Sequence, residues 1–280
     1  MGMKQILVMM AVVVLVGCSK DTPETSQAAE SDPQVASKPT PEPDPVSPAD
    51  EKLIADPIVE KIIRLQINKP EGKLTETDLE KITSLSLSDT KITDEGLKEV
   101  AKLQQLTLLY LNDTKVTDAG LKEVAKLQKL EDLYLRSTKI TDTGLKEVAK
   151  LQKLGVLDLT DTQITDASLK DVAKLQELTS LVLSNTQIID AGLKEVVKLQ
   201  KLTYLSLSST QITDAGLKEV AKLQNLTELN LNNTQITDTG IKEVAKLQKL
   251  KFLHLNETKI TDADVTKLKK ALPNCRIFGP

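Results

Sequence analysis

Tryptophan is absent from this 280-residue chain, and three tyrosines and two phenylalanines are its only aromatic residues. Packing must come from leucine, isoleucine and valine, within an apolar content of 40%. One histidine, His254, and two cysteines, Cys18 and Cys275, leave little for metal or nucleophile chemistry. No cluster has metal-ligand spacing, no serine or cysteine sits in a nucleophile motif, and no glycine-rich loop could cradle a phosphate. The chain therefore reads as a non-enzyme that needs no cofactor and no metal. Long apolar runs are missing too. The stretch Ile6 to Val16 has eleven residues, against the ~20 a helix needs to cross a bilayer. A strong excess of one charge is also lacking, since the net charge is −3. The tract Ser19 to Asp50 carries seven acids against Lys20 and Lys38, and from Glu51 onward 34 basic residues face 33 acidic ones. That near-neutrality argues against a nucleic-acid partner.

A basic start at Lys4, a short apolar stretch and small residues at its end describe an export signal over residues 1–17. Its last residues, Leu15-Val16-Gly17-Cys18, resemble the bacterial lipobox. The resemblance implies that Cys18 receives diacylglycerol and becomes the new N-terminus, placing the protein in the cell envelope on a lipid anchor. Ser19, rather than aspartate, then implies outer-membrane sorting in a host with two membranes. A lipidated Cys18 leaves Cys275 alone, so no disulfide is expected, and Cys275 reads as a small buried hydrophobe. Residues 18–50 read as a linker: seven of the eleven prolines lie there, without glycine or an aromatic. Such a tract cannot form a core. In polyproline geometry, at ~3.1 Å per residue, it would reach at most about 100 Å.

From Ile82 a 24-residue period takes over, marked by Asp94, Asp118, Asp142, Asp166, Asp190, Asp214, Asp238 and Asp262. A fixed period of this length means a solenoid, in which each unit is buried only by its neighbours. In the second unit, Leu106, Leu109 and Leu111 give a strand signal with Leu108, Tyr110 and Asn112 on the other face. Leu121, Val124 and Leu127 then have helical spacing, and Asp118 stands where a helix cap is expected. Strands stacked in one direction make a parallel sheet, and the wider helices on the other side force the stack to curve with the sheet inside.

The pattern L-x-x-L-x-L-x-x-T-x-I-T-D-x-G-L resembles the leucine-rich repeat, nearest the type with convex helices found in F-box leucine-rich-repeat proteins. It covers roughly Ile62 to Ile277 and implies an α/β horseshoe with a concave parallel sheet and short convex helices. Residues 51–280 form this domain, with a helical N-terminal cap at 51–81, eight repeats at 82–271 and a strand cap at 272–280. The family usually has asparagine or cysteine where this chain has Thr90, Thr114 and their equivalents, so a ladder of hydroxyls bonded to neighbouring turns is expected. Gly96, Gly120 and their equivalents become Ser168 and Asp264 in two units. Crowding, rather than a positive φ, is the reason expected for them.

Compared with one another, the repeats are near-copies on their helices and turns but differ at the outward strand positions. One column runs Ser84, Leu108, Asp132, Val156, Ser180, Tyr204, Glu228 and Phe252. The next runs Ser86, Tyr110, Tyr134, Asp158, Val182, Ser206, Asn230 and His254, and a third includes Asn112, Arg136 and Thr160. Aromatics and arginine anchor interfaces. Leu108, Tyr110, Asp132, Tyr134, Arg136 and Asp158 are read as one binding patch, Tyr204 as standing alone, Phe252 with His254 as a second patch, and Phe278 as outside the columns. The expected role is a monomeric scaffold that binds another protein. The alternatives are a glycan or peptidoglycan binder with weak hydrolase activity, using the Asp132 and Asp158 carboxylates, and a passive spacer. Asp89 and Asp113 are also spaced to share a calcium ion, although turn formation explains the same residues. The helix lysines beginning at Lys98 run beside an acidic row beginning at Glu99, a pattern read as a solvated face.

Overall fold

The computed structural model describes residues 52–279; the apolar run, Cys18 and the proline-rich tract lie outside the described residues. Two helices, α1 (Pro57–Gln66) and α2 (Glu76–Leu79), precede the repeats. Nine strands follow among the described residues: β1 (Ser84–Ser86), β2 (Leu108–Tyr110), β3 (Asp132–Tyr134), β4 (Val156–Asp158), β5 (Ser180–Val182), β6 (Tyr204–Ser206), β7 (Glu228–Asn230), β8 (Phe252–His254) and β9 (Arg276–Phe278). Between them lie α3 (Asp94–Val100), α4 (Asp118–Val124), α5 (Asp142–Val148), α6 (Asp166–Val172), α7 (Leu193–Val196), α8 (Asp214–Val220), α9 (Asp238–Val244) and α10 (Asp262–Ala271). The strands form one parallel sheet in chain order, each residue of β1 to β8 pairing with the residue 24 positions later, as in Leu109 with Leu133. Strands sit ~4.8 Å apart while packed helices need ~8–10 Å. The helix layer is therefore the longer one, and the solenoid bends toward its sheet.

The core is a set of apolar ladders. In the second repeat Leu106, Leu109, Leu111, Val116, Leu121, Val124 and Leu127 are all buried. A seven-residue helix is too short to persist alone, so burial of Leu121 and Val124 holds α4 in place. It ends at Val124, and Gln128 closes the turn behind it by donating to the Ala125 carbonyl at 2.6 Å. Leu127 therefore packs from that turn and not from the helix.

Three local expectations change. The cap of α4 is Thr117, whose Oγ1 accepts from Ala119 N at 3.3 Å; Asp118 is the first helical residue. Aspartate is the better capping residue by propensity, but the backbone turn places the threonine outside the helix. The aspartate row has another task, joining successive repeats. Asp94 accepts from Thr117 N at 2.9 Å and from Thr117 Oγ1 at 2.6 Å, and Asp118 accepts likewise from Thr141. The hydroxyl ladder does not form between turns: Thr114 Oγ1 donates to Leu111 O of its own turn at 2.7 Å, as Thr138 does to Leu135 O. Donation to the carbonyl three residues back satisfies the buried hydroxyl locally.

The same carboxylate bridge explains the glycines. A Cβ on Gly120 would lie 2.5 Å from Asp94 Oδ1 and 2.7 Å from Leu97 Cδ1, so close approach is what selects glycine there. In the fifth repeat Ile189 replaces the capping threonine. Its N–H still donates to Asp166 Oδ1 at 3.0 Å, but the hydroxyl bond is lost. Helix α7 shrinks to four residues with no side-chain cap, and Ile189 is 44% exposed.

At the N-terminal end, Asp56 caps α1, which buries Val59 and Ile63. Ala55 N donates to Glu99 Oε2 at 2.7 Å, and Gln66 Nε2 donates to Ser84 O, occupying the free edge of β1. The acidic row on the helices pairs with the lysines three residues on, as Glu123 with Lys126 at 2.6 Å, and not with the Lys122 row. No helix among the described residues is long and apolar enough to cross a membrane.

Candidate interaction face

Each strand from β1 to β8 turns its middle leucine into the core and its two outer residues to the opposite face, and β9 turns Ile277 the same way. Register then sets the neighbours: Leu108, Asp132 and Val156 form one lateral row, and Tyr110, Tyr134 and Asp158 the row beside it. The structure thus brings Leu108, Tyr110, Asp132, Tyr134 and Asp158 together. Tyr110 and Tyr134 stack with ring centroids 4.5 Å apart and planes 17° from parallel. Each ring covers one face of the other, so the pair offers edges, hydroxyls and its two outer faces. Arg136 lies just past β3: its N–H donates to Asn112 Oδ1 at 3.0 Å, and its Nη2 stands 3.9 Å from Asp113 Oδ2.

Electrostatics distinguish the two carboxylates. Asp158 Oδ1 accepts from Thr160 N at 2.9 Å and from Thr160 Oγ1 at 2.6 Å. Asp132 has no hydrogen bond or ion pair with any described residue. Partial burial, with a smaller contribution from the Glu131 charge, raises its carboxyl above the ordinary aspartate range. Burial likewise raises the Tyr134 phenol, helped by Tyr110 and by the charges of Asp132 and Asp158.

Tyr204 sits apart from the other aromatics, in register with Ser180 and Glu228, its phenol raised by burial and then by Glu228. The C-terminal patch is arranged differently from the expected Phe252–His254 pair. His254 stacks on Phe278, with centroids 4.6 Å apart and planes 7° from parallel, and its Nε2 is 3.5 Å from Glu228 Oε1. The Arg276 guanidinium lies 4.9 Å from the Phe278 ring centroid, while Phe252 is 41% exposed and in register with Arg276. Phe278 therefore belongs to the second column, not outside it, and Arg276 to the first. The signal was present: Cys275, just before β9, and Ile277 within it take the inward leucine positions of the repeat, so 276 and 278 must face outward.

The remaining candidates fall to local roles. Asp89 and Asp113 adopt φ of 59° and 57°, within a column of left-handed turn residues that continues through Ser137, Asp161 and Asn185. Short polar side chains tolerate this conformation. Among the described residues no group of three or more His, Cys, Asp or Glu side chains could hold a metal ion. Cys275 is a free, buried thiol whose pKa burial pushes up to about 11. Cys18 lies outside the described residues.

Residues 79–101, 126–149 and 150–173 match the family described as Leucine Rich repeat, and residues 200–243 and 224–274 match Leucine Rich repeats (2 copies). Among solved structures, an internalin C2 from Listeria monocytogenes is 30% identical, covering 81% of this chain and 95% of that one with a TM-score of 0.66. A leucine-rich-repeat protein from Leptospira interrogans is 28% identical over 71% of this chain and 49% of that one, with a TM-score of 0.56. A further Listeria internalin, 24% identical with a TM-score of 0.58 over 81% of this chain and 76% of that one, shares the fold. No curated protein matches.

Proposed function

Since the chain belongs to the leucine-rich-repeat family, we propose that it is a non-enzymatic scaffold that binds another protein through its concave sheet face, held in the cell envelope by a lipid on Cys18. The observation that carries this reading is where the repeats differ. Their helices keep Leu-Lys-Glu-Val almost unchanged, whereas the outward strand positions change in every unit and collect all three tyrosines and both phenylalanines. Solenoids bind along such extended inner surfaces, and buried aromatics dominate the energetics of protein interfaces.

The stacked tyrosines keep two outer ring faces that a sugar can also use, so the preference for a protein rests on the extended inner surface of the solenoid and its mixed polarity. Edges, hydroxyls and flanking carboxylates suit a surface of mixed polarity. The Tyr110→Ala/Tyr134→Ala double variant is expected to lose partner capture in crosslinking pull-downs from envelope extract while its circular dichroism stays unchanged. Undiminished capture, or co-sedimentation with purified cell wall in place of protein capture, would contradict the reading.

The anchor is supported by Leu15-Val16-Gly17-Cys18 following a short apolar run. Metabolic labelling with a fatty acid is expected to mark the wild type and to vanish in Cys18→Ser. The acidic, proline-rich tract then serves as the spacer between lipid and repeats.

A further inference from the structure

The patch on β2 to β4 contains a square of four side chains with a distinctive pattern. Asp132 and Tyr134 lie on β3, and Val156 and Asp158 are their register partners on β4. The two carboxylates occupy one diagonal, and the ring and the valine the other. With strands ~4.8 Å apart and same-face residues ~6.6 Å apart along a strand, the diagonal is about 8 Å between Cα atoms. Asp132 is further enclosed by Leu108 on its other side.

Neither carboxylate is neutralised from within. Asp132 has no partner among the described residues, and both bonds to Asp158 use Oδ1, leaving Oδ2 without one. Arg136, the cation expected for this patch, is directed toward Asp113. The square therefore presents two carboxylates that no cation among the described residues answers, set beside apolar surface and open to a cation from outside.

From this square, and resting on the reading of the sheet face as a protein-binding surface, we infer that the partner inserts an arginine side chain between Asp132 and Asp158. A guanidinium is a planar cation whose edge carries donors and whose faces are weakly hydrated. Its edges meet the two carboxylates, and its faces meet Tyr134 and Val156. Lysine matches only half of this pattern. Its ammonium is a compact, strongly hydrated point charge that gains little from the apolar diagonal.

The absence of tryptophan provides the assay, because tyrosine fluorescence of the full chain reports mainly on three residues, two of them in this patch. The full chain would be titrated with N-acetyl-Gly-Arg-Gly-amide and with its lysine and citrulline counterparts. The arginine peptide is expected to change the emission with at least about tenfold higher affinity than the lysine peptide, and citrulline to have no effect. Asp132→Asn and Asp158→Asn should each weaken the arginine response about tenfold or more. Equal responses to arginine and lysine, or an arginine response that survives both substitutions, would overturn the inference. If the arginine peptide has no effect while crosslinked capture still depends on Tyr110 and Tyr134, the arginine inference falls and the sheet-face reading stands.

Discussion

Asp132 shows how a single residue on a repetitive scaffold acquires chemistry of its own. Its backbone position is the same as that of Ser84 or Ser180, yet Leu108 and Val156 flank it and no cation answers it. Because burial raises its folded-state pKa above the unfolded value, the native state holds the proton over a window where the unfolded chain has released it. Stability therefore falls as pH rises through that window. Asp132→Asn is expected to be slightly more stable than wild type at neutral pH, by ~0.5 kcal/mol or less for so exposed a group. The difference should shrink as pH falls through the acidic range. Urea midpoints compared across pH test this, and a neutral-pH loss of stability would contradict it. At this scale the sequence was legible wherever alternation with a fixed period decides direction, so Tyr110 and Tyr134 could be placed side by side. It was opaque where two adjacent residues can both cap: only the backbone turn tells that Thr117 caps α4 and that Asp118 reaches the next repeat.

At the level of the element, α7 is a built-in substitution experiment. The fifth repeat keeps the leucines and the aspartate but has Ile189 in place of threonine, and its helix loses three residues. Burial of Leu193 and Val196 keeps the remaining turn, while the missing hydroxyl removes both a cap and half of the bridge to Asp166. Ile189→Thr should restore a seven-residue helix and raise unfolding stability by ~1 kcal/mol, the usual effect of a capping hydroxyl. Slower amide exchange at Ala191 to Leu193 would accompany the gain, and unchanged exchange there would sink the explanation. Strand and helix positions could be read from leucine spacing because the core dictates them. Helix length could not, because the backbone turn ahead of the helix decides it: α3 reaches seven residues although Thr93 makes no side-chain cap bond. The C-terminal stack of His254 on Phe278 is missed for a narrower reason: the closing strand is expected from the sequence, but with Phe278 placed after it and not on its outward face.

Across the whole molecule, stability is close to a sum of repeat and junction contributions. Five junctions on the helix side carry two bonds from one carboxylate to the next threonine, as Asp94 to Thr117 and Asp214 to Thr237, but the one entering the fifth repeat carries one and the one entering the eighth carries none, because Thr261 donates to Asp264 of its own helix instead. Hydrogen exchange should accordingly divide the domain. Amides of β1 to β4, of β5 to β7 and of β8 with β9 are expected to exchange as blocks with different opening free energies, whereas a single uniform protection level would show one cooperative unit. Both soft junctions lie between the tyrosine pair on β2 and β3 and the aromatic stack on β8 and β9. Mechanically, the solenoid then behaves less like a uniform spring than like stiff arms joined by two compliant segments. A load shared between the two aromatic sites would concentrate its strain at Ile189 and at Thr261.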